Sequence, residues 1–166
     1  MNNNLIITIS RQYGTGGREI GQKLALRLGI PFYDRELITR AAKKTGFDEK
    51  LFEQLDKRAT NSFLYSLTMF GSVGLNGMSL TDQLYLAQSN IIREMAEDSS
   101  CVIVGRCADH VLRDFPNKFD FFIHGSIEDR VKRIQTCGDY EIEGKTPEAA
   151  LEKMDKQRST YYNYYT

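Results

Sequence analysis

The junction near the start of the chain constrains the fold more than any other feature. An apolar run from Leu5 to Ile9 is followed by a turn that contains Gly14, Gly16 and Gly17, and an amphipathic segment begins directly after it. Glycines permit positive φ and remove side chains that would block a close approach. The main-chain N–H groups of such a turn point into one small space, where the helix dipole adds partial positive charge. The junction therefore predicts an α/β fold with phosphate binding at the end of the first strand.

Apolar runs alternate with amphipathic segments along the rest of the chain. We predict strands at residues 5–9, 30–34, 101–105 and 119–124, and helices at 35–44, 82–97, from about 108, at 127–136 and from 147. In the first helix, Ile20, Leu24 and Leu28 form one apolar stripe that we expect to face the core, and Gly29 ends the helix. Residues 47–83 contain three closely spaced glycines and are interpreted as an insertion. The alternation predicts a parallel sheet with helices on both faces.

Length and charge narrow the class of protein. A chain of 166 residues suits one domain, residues 1–166. Lys and Arg number 22 and so do Asp and Glu, so no net field attracts the protein to a nucleic acid polymer or a membrane. No apolar run approaches the roughly 18 residues of a membrane span, and no signal peptide is recognised. Three sparse cysteines without metal-ligand spacing predict reduced thiols, and no residue is assigned to a metal. We expect a cytoplasmic protein.

The turn departs from the standard phosphate-binding motifs. The Walker A pattern is G-x-x-x-x-G-K-[ST]; here Arg11 stands at the first glycine, Gly17 at the lysine and Arg18 at the hydroxyl residue. Glu19 stands where a dinucleotide fingerprint has its third glycine. An ordinary turn with glycines for packing remains the alternative, but guanidinium forks at Arg11 and Arg18 favour phosphate. The predicted phosphate-binding set is Arg11, Gly14, Thr15, Gly16, Gly17, Arg18 and Glu19.

Charged residues also follow two later strands. Arg106 comes after the predicted strand at 101–105, at the edge where open α/β sheets bind ligands. It either holds a second phosphate or is a surface arginine paired with Asp109 or Asp114. Asp34 ends another strand, and it either accepts from a ribose or base, or aids a metal, or caps the helix that begins at Arg35.

Three arginines in the last third of the chain are candidates for charge stabilisation. Arg130 and Arg133 lie three apart on one predicted helix and Arg158 follows on the next, so all three are available to a transferring phosphoryl group. The alternative is a solvated helix face with acidic neighbours. The run from Tyr161 to Tyr165 either stacks a base or forms an aromatic plug whose partner lies outside this chain.

Four blocks along the chain carry a resemblance to a known family. They are residues 9–21 (ISRQYGTGGREIG), 31–38 (PFYDRELI), 102–109 (VIVGRCAD) and 155–165 (DKQRSTYYNYY). Together they resemble the cytidylate kinase-like family, a branch of the P-loop nucleoside monophosphate kinases. The resemblance implies a three-layer α/β/α P-loop fold. It also implies transfer of the ATP γ-phosphoryl group to a nucleoside monophosphate, with CMP or dCMP as the expected acceptor. It implies ATP and Mg²⁺ as cofactors and nucleotides as partners.

The resemblance also implies a role for each candidate residue. Residues 14–18 would hold the ATP phosphates, residues 47–83 would be the acceptor-binding insertion, and residues 136–160 would form the lid. The residues expected to act on the transferring group are Arg18, Arg130, Arg133 and Arg158. The residues expected to face the acceptor are Asp34, Arg35, Arg106 and Asp109.

Two departures from the family pattern matter. Gly17 replaces the loop lysine of ordinary cytidylate kinases, so Arg18 substitutes for it if the loop is one residue longer. Otherwise the chain is a nucleotide-binding regulatory module without phosphotransfer. We also expect the family's final strand to be missing from this chain, which would leave residues 119–123 as an apolar edge. Either that segment was lost or lies outside this sequence, or another chain, as in a homo-oligomer, covers that edge.

Overall fold

A computed structural model describes residues 3–34, 80–138, 140 and 146–166. In chain order the elements are β1 (Ile6–Arg11), α1 (Gly17–Leu28), β2 (Phe32–Tyr33), α2 (Leu80–Asp98), β3 (Cys101–Val104), α3 (Ala108–Val111), β4 (Lys118–Ile123), α4 (Ile127–Thr136) and α5 (Pro147–Tyr165). The predicted helix at 35–44, with Arg35, and nearly all of the 47–83 segment lie outside these ranges. None of the helices within them is both long and apolar enough to span a bilayer.

The strands form one parallel sheet in the order β2-β3-β1-β4. β1 is central: Ile6 pairs with Cys101 of β3 on one side and Lys118 of β4 on the other. β3 is buried along its whole length, which explains its continuous apolar sequence. One apolar cluster joins β1 and β3 to α2 and α3, and a second joins them to α1 on the opposite face. The prediction of a parallel α/β sheet covered on both faces is confirmed.

The face that α1 presents to the sheet differs from the prediction. Gly17, Gly21 and Ala25 are its buried residues, whereas Ile20 and Leu28 are 43% and 45% exposed. Small side chains bring the helix axis close to the sheet, since a Cβ atom on Gly21 would lie only 2.9 Å from Cγ2 of Val104. The expectation that Ile20 and Leu28 face the core was therefore wrong. Leu24 does pack against the core as predicted, and a stripe of glycine and alanine forms the closest contact.

We predict that Gly21→Val lowers the free energy of unfolding by about 1–3 kcal/mol, because it overpacks the contact between α1 and the sheet. The nearest atoms belong to core side chains, Val104 and Phe32, which have little room to move. Urea denaturation measures the change. Gly138→Val is the matched control, since a Cβ there meets nothing within 4 Å. Equal effects of the two substitutions would contradict the close packing.

The two later helices begin where the sequence predicts. Ser126 caps α4 by accepting a hydrogen bond from the Asp129 N–H at 3.1 Å. Thr146 caps α5 by accepting from the Ala149 N–H at 3.2 Å, and Pro147 occupies the first helical position.

β4 lies at the edge of the sheet. Among the described residues it pairs only with β1, and its phenylalanine side chains are about half exposed. The expected apolar edge is therefore present in the described part of the chain. The homo-oligomer that would cover it stays a prediction.

Candidate functional site

The turn between β1 and α1 has the backbone of an anion site. Gly14 and Gly16 adopt left-handed φ values of 78° and 74°, and they direct the chain sharply into α1. The Thr15 hydroxyl donates to the carbonyl of Gln12 at 2.9 Å, which closes the turn on itself. The first N–H groups of α1 have no partner within the helix. This combination of a glycine turn and a helix N-terminus is the usual main-chain cradle for phosphate.

An ion pair beneath the turn fixes its position. Arg130 is buried, and its Nε donates to the Tyr13 carbonyl at 2.7 Å while its Nη2 bonds Asp155. Asp155 also accepts from the Tyr13 N–H at 2.6 Å. Both main-chain groups of Tyr13 are thus held by one ion pair, in which Arg130 is buried and Asp155 is partly buried. The alternative of a solvated arginine is wrong for Arg130, and its action on a phosphoryl group stays a prediction.

Arg133 covers the turn from the solvent side. A Cβ on Gly16 would lie 2.6 Å from Cζ of Arg133, so the guanidinium rests directly on the turn. It pairs with Glu19 and donates to the Tyr140 hydroxyl at 3.3 Å. Hydrogen bonds from Lys23 and Arg133 lower the pKa of Glu19. In this structure Glu19, a predicted phosphate-binding residue, balances the charge of Arg133.

Arg18 and Asp34 contact each other, although the resemblance places Arg18 at the donor phosphates and Asp34 at the acceptor nucleotide. Arg18 Nε donates to Asp34 Oδ2 at 2.7 Å; Asp34 is buried and the Arg18 side chain is half exposed. The sequence left open whether Asp34 binds a ligand or caps a helix. The structure adds a third partner for its carboxylate, Arg18. Whether Arg18 replaces the missing lysine stays a prediction.

Arg11 fills the space that two glycines leave. A Cβ on Gly17, the lysine position, would lie 2.8 Å from Cβ of Arg11. A Cβ on Gly105, just after β3, would clash with Nη1 of the same arginine. The Arg11 side chain therefore crosses the start of α1 and places its guanidinium at the carboxyl ends of β1 and β3. The glycines at 17 and 105 are explained by the room that this arginine needs.

Two further arginines point to the same edge of the sheet. Arg158 Nη1 donates to the main-chain carbonyl of Arg11 at 3.1 Å, and its guanidinium lies 5.1 Å from the Tyr13 ring centroid. Arg106 has a left-handed backbone with φ of 61°, and its guanidinium lies 5.9 Å from the Tyr161 ring centroid. Its Nη1 is 3.4 Å from the Gln88 side-chain oxygen. The turn and the predicted second phosphate site are thus neighbours.

The arginine cluster, Arg11, Arg106 and Arg158, gathers three guanidiniums at one edge of the sheet. Burial, Arg158 and Arg106 lower the pKa of Arg11 to about 9, and burial lowers the pKa of Arg158. Within the described ranges no carboxylate forms an ion pair with Arg11 or Arg158. An anion that enters the cluster therefore meets several guanidiniums and is attracted strongly.

A cavity of about 690 Å³ extends from the arginine cluster along the face of β1 and β4 under α5. Its wall includes Asp109, whose Oδ2 accepts from the Tyr162 hydroxyl at 2.6 Å. This bond raises the pKa of Tyr162 to about 12. Asp109 Oδ1 is buried and has no hydrogen-bond partner among the described residues. The glycines of the turn do not line this cavity, and Arg11 and Gln12 connect the two regions.

The tyrosine run at the end of α5 packs against a residue of the same chain. The ring of Tyr165 stacks on Tyr85 of α2 with centroids 3.9 Å apart, and Tyr161 packs against both. The expectation that a plug would need another chain was therefore wrong. Tyr161 and Tyr162 still line the cavity, so they remain available to a ligand there.

A parallel sheet in the order β2-β3-β1-β4, with a glycine turn after its central strand, defines the P-loop kinase class of fold. Shikimate kinases from Acinetobacter baumannii and Bacteroides thetaiotaomicron share this fold with TM-scores of 0.52 and 0.53, each at 16% identity. The alignments cover 98% and 96% of this chain, and 80% and 82% of those chains. An uncharacterized protein from Eubacterium ventriosum ATCC 27560 has a TM-score of 0.68 and 29% identity over 98% of this chain and 78% of that one.

The chain belongs to the cytidylate kinase-like family, whose sequence model matches residues 6–166. No curated protein matches the sequence. The predicted family and the predicted P-loop fold are therefore confirmed. Together they support a nucleotide or small-molecule kinase, that is, a phosphotransferase.

Proposed function

We propose that the protein transfers the γ-phosphoryl group of ATP to a nucleoside monophosphate, with CMP or dCMP as acceptor. The observation that carries this proposal is the convergence of Arg11, Arg106 and Arg158 beside the glycine turn. Phosphoryl transfer needs several positive groups around one reacting phosphorus and no covalent protein intermediate. The family to which the chain belongs supports the same reaction class.

In the proposed reaction, an oxygen of the acceptor phosphate forms a bond to the γ-phosphorus. The bond between that phosphorus and the bridging oxygen to the β-phosphate breaks, and ADP leaves with the electron pair. The turn at residues 14–17 binds the donor phosphates, and the arginine cluster holds the acceptor and transferring groups in line. Positioning and charge stabilisation supply the rate enhancement.

The acceptor would occupy the cavity beside Arg106. Its phosphate would meet the arginine cluster, and Asp109 Oδ1 would accept a hydrogen bond from the ribose or the base. The exocyclic amino group of cytosine is a donor that would satisfy this oxygen, which is compatible with CMP as acceptor. Residues 47–83 and 136–160 are proposed to close over the nucleotides and exclude water.

The test is an ADP-release assay with the whole chain, ATP, Mg²⁺ and one acceptor at a time. CMP and dCMP should give acceptor-dependent ADP, with AMP, UMP and GMP as comparison acceptors. Shikimate is a further comparison, because shikimate kinases share the fold. Absence of acceptor-dependent ADP at enzyme excess would reject the proposal.

A regulatory nucleotide-binding module is the second candidate, and Gly17 at the lysine position favours it. It predicts that nucleotides raise the melting temperature while no ADP forms. Thermal shift and ADP release, measured on the same preparation, separate the two functions.

A further inference from the structure

P-loop kinases generally use ATP together with Mg²⁺, and the resemblance to the cytidylate kinase-like family implies both here. In the P-loop NTPases the ion is held by the hydroxyl residue after the loop lysine and by a carboxylate from a neighbouring strand. The residue after Gly17 is Arg18, and β3 is followed by Gly105 and Arg106. Neither position offers an oxygen ligand.

Three oxygen donors beside the turn already have partners. The Thr15 hydroxyl donates to Gln12, Asp34 pairs with Arg18, and Asp155 accepts from both Tyr13 and Arg130. Within the residues that the structure describes, no three His, Cys, Asp or Glu side chains form a cluster suited to a metal ion. Among the described residues, the two positions that hold the ion in P-loop NTPases thus offer no side-chain oxygen, whereas Mg²⁺ is usually bound through one or two carboxylates beside the substrate phosphates.

We infer that Arg11, together with Arg106 and Arg158, supplies the positive charge that a loop lysine and a protein-held Mg²⁺ supply in related kinases. The site then binds a nucleoside polyphosphate without a metal ion held by the protein. The inference rests on the proposed function, because it concerns the donor phosphates of the same site.

The position of Arg11 carries the argument. Its side chain runs between Gly17 and Gly105, which places a guanidinium where the turn and the end of β3 meet. This side chain is half-buried, and no described carboxylate forms an ion pair with it. A planar guanidinium presents two parallel N–H donors to phosphate oxygens, which lysine cannot do.

The electrostatics lead to the same conclusion. Burial and two neighbouring guanidiniums act against the charge on Arg11, so the ligand-free site carries a repulsion that an anion relieves. A divalent cation placed among three guanidiniums would add to that repulsion. Metal-free nucleotide should thus bind at least as well as its metal complex.

The experiment is calorimetric titration of the whole chain with ADP, once in EDTA and once in excess Mg²⁺. We expect the affinity in EDTA to equal or exceed that in Mg²⁺. An affinity that is roughly tenfold or more weaker in EDTA would overturn the inference and leave the proposed function standing. ADP that binds in neither condition would overturn both.

Variants of Arg11 test the residue itself. Arg11→Met keeps the apolar stem and should weaken ADP binding in EDTA by about 10–100-fold, the usual loss for a charged hydrogen-bond donor. Its ligand-free melting temperature should equal or exceed that of the wild type, which a purely structural arginine would not show. Arg113→Met, on an exposed side chain far from the cavity lining, is the control.

Arg11→Lys keeps the charge and removes the planar guanidinium with its two parallel N–H donors. It serves as the second variant if Arg11→Met does not fold. It should bind ADP in EDTA more weakly than the wild type and more tightly than Arg11→Met. Wild-type affinity in both Arg11 variants would show that Arg11 does not hold the phosphates.

Discussion

Asp155→Ala is expected to lower the free energy of unfolding by about 3–5 kcal/mol, the usual cost of removing one partner of a buried ion pair. Arg130 is buried and would keep its charge without the carboxylate. The Tyr13 N–H would also lose its acceptor at 2.6 Å. The free energy of unfolding of a domain of this size is about 5–15 kcal/mol in total. The variant should therefore be close to unfolding at physiological temperature.

Urea denaturation measures this loss, and Asp114→Ala is the matched control. Asp114 is 73% exposed and lies 3.9 Å from Arg113, so its removal should change the stability by less than about 0.5 kcal/mol. A loss below about 1 kcal/mol for Asp155→Ala would contradict the role assigned to the buried pair.

A second substitution separates the charge from the packing. Arg130→Met combined with Asp155→Ala removes both charges, so the double variant should be more stable than Asp155→Ala alone. A double variant that is no more stable than Asp155→Ala would show that Arg130 and Asp155 do not stabilise the turn as a pair.

Local signals made most of the fold predictable from the sequence. Ser126 and Thr146 mark the starts of α4 and α5, because a helix N-cap requires only a hydroxyl and the amides that follow it. Short apolar runs gave β1, β3 and β4 to within two residues at each end. The face of α1 was predicted wrongly, because periodicity finds a stripe of large side chains and overlooks one of glycines. The helix lies closest to the sheet along its glycines.

The candidate site was only partly predictable. The glycine turn is local, so its place after β1 follows from the sequence. The partners of the charged side chains do not, because Arg130 meets Asp155 across 25 residues and Arg158 meets Arg11 across 147. The sequence contained one further signal that could have predicted part of the site. Glycines at 17 and 105 are typical of positions where another side chain needs the space. Which side chain fills it depends on the strand order, which the sequence alone did not provide.

Arg158→Gln should lower kcat by about 10²–10³-fold in the proposed reaction, the usual effect of removing one donor aimed at developing charge. Arg158 lies between the turn and the cavity, where it contacts the Arg11 carbonyl and the Tyr13 ring. Glutamine keeps an amide NH₂ donor but lacks the charge. Steady-state assays with CMP and ATP measure the effect.

Stability must be measured beside activity in this variant. Burial disfavours the charge of Arg158, so its removal should leave the melting temperature close to that of the wild type. Arg113→Gln, an exposed arginine, should change neither quantity. A kcat within about tenfold of the wild type would mean that the transferring phosphoryl group does not meet Arg158. Arg11 and Arg106 would then have to stabilise it without Arg158, on the side of the turn nearer β3.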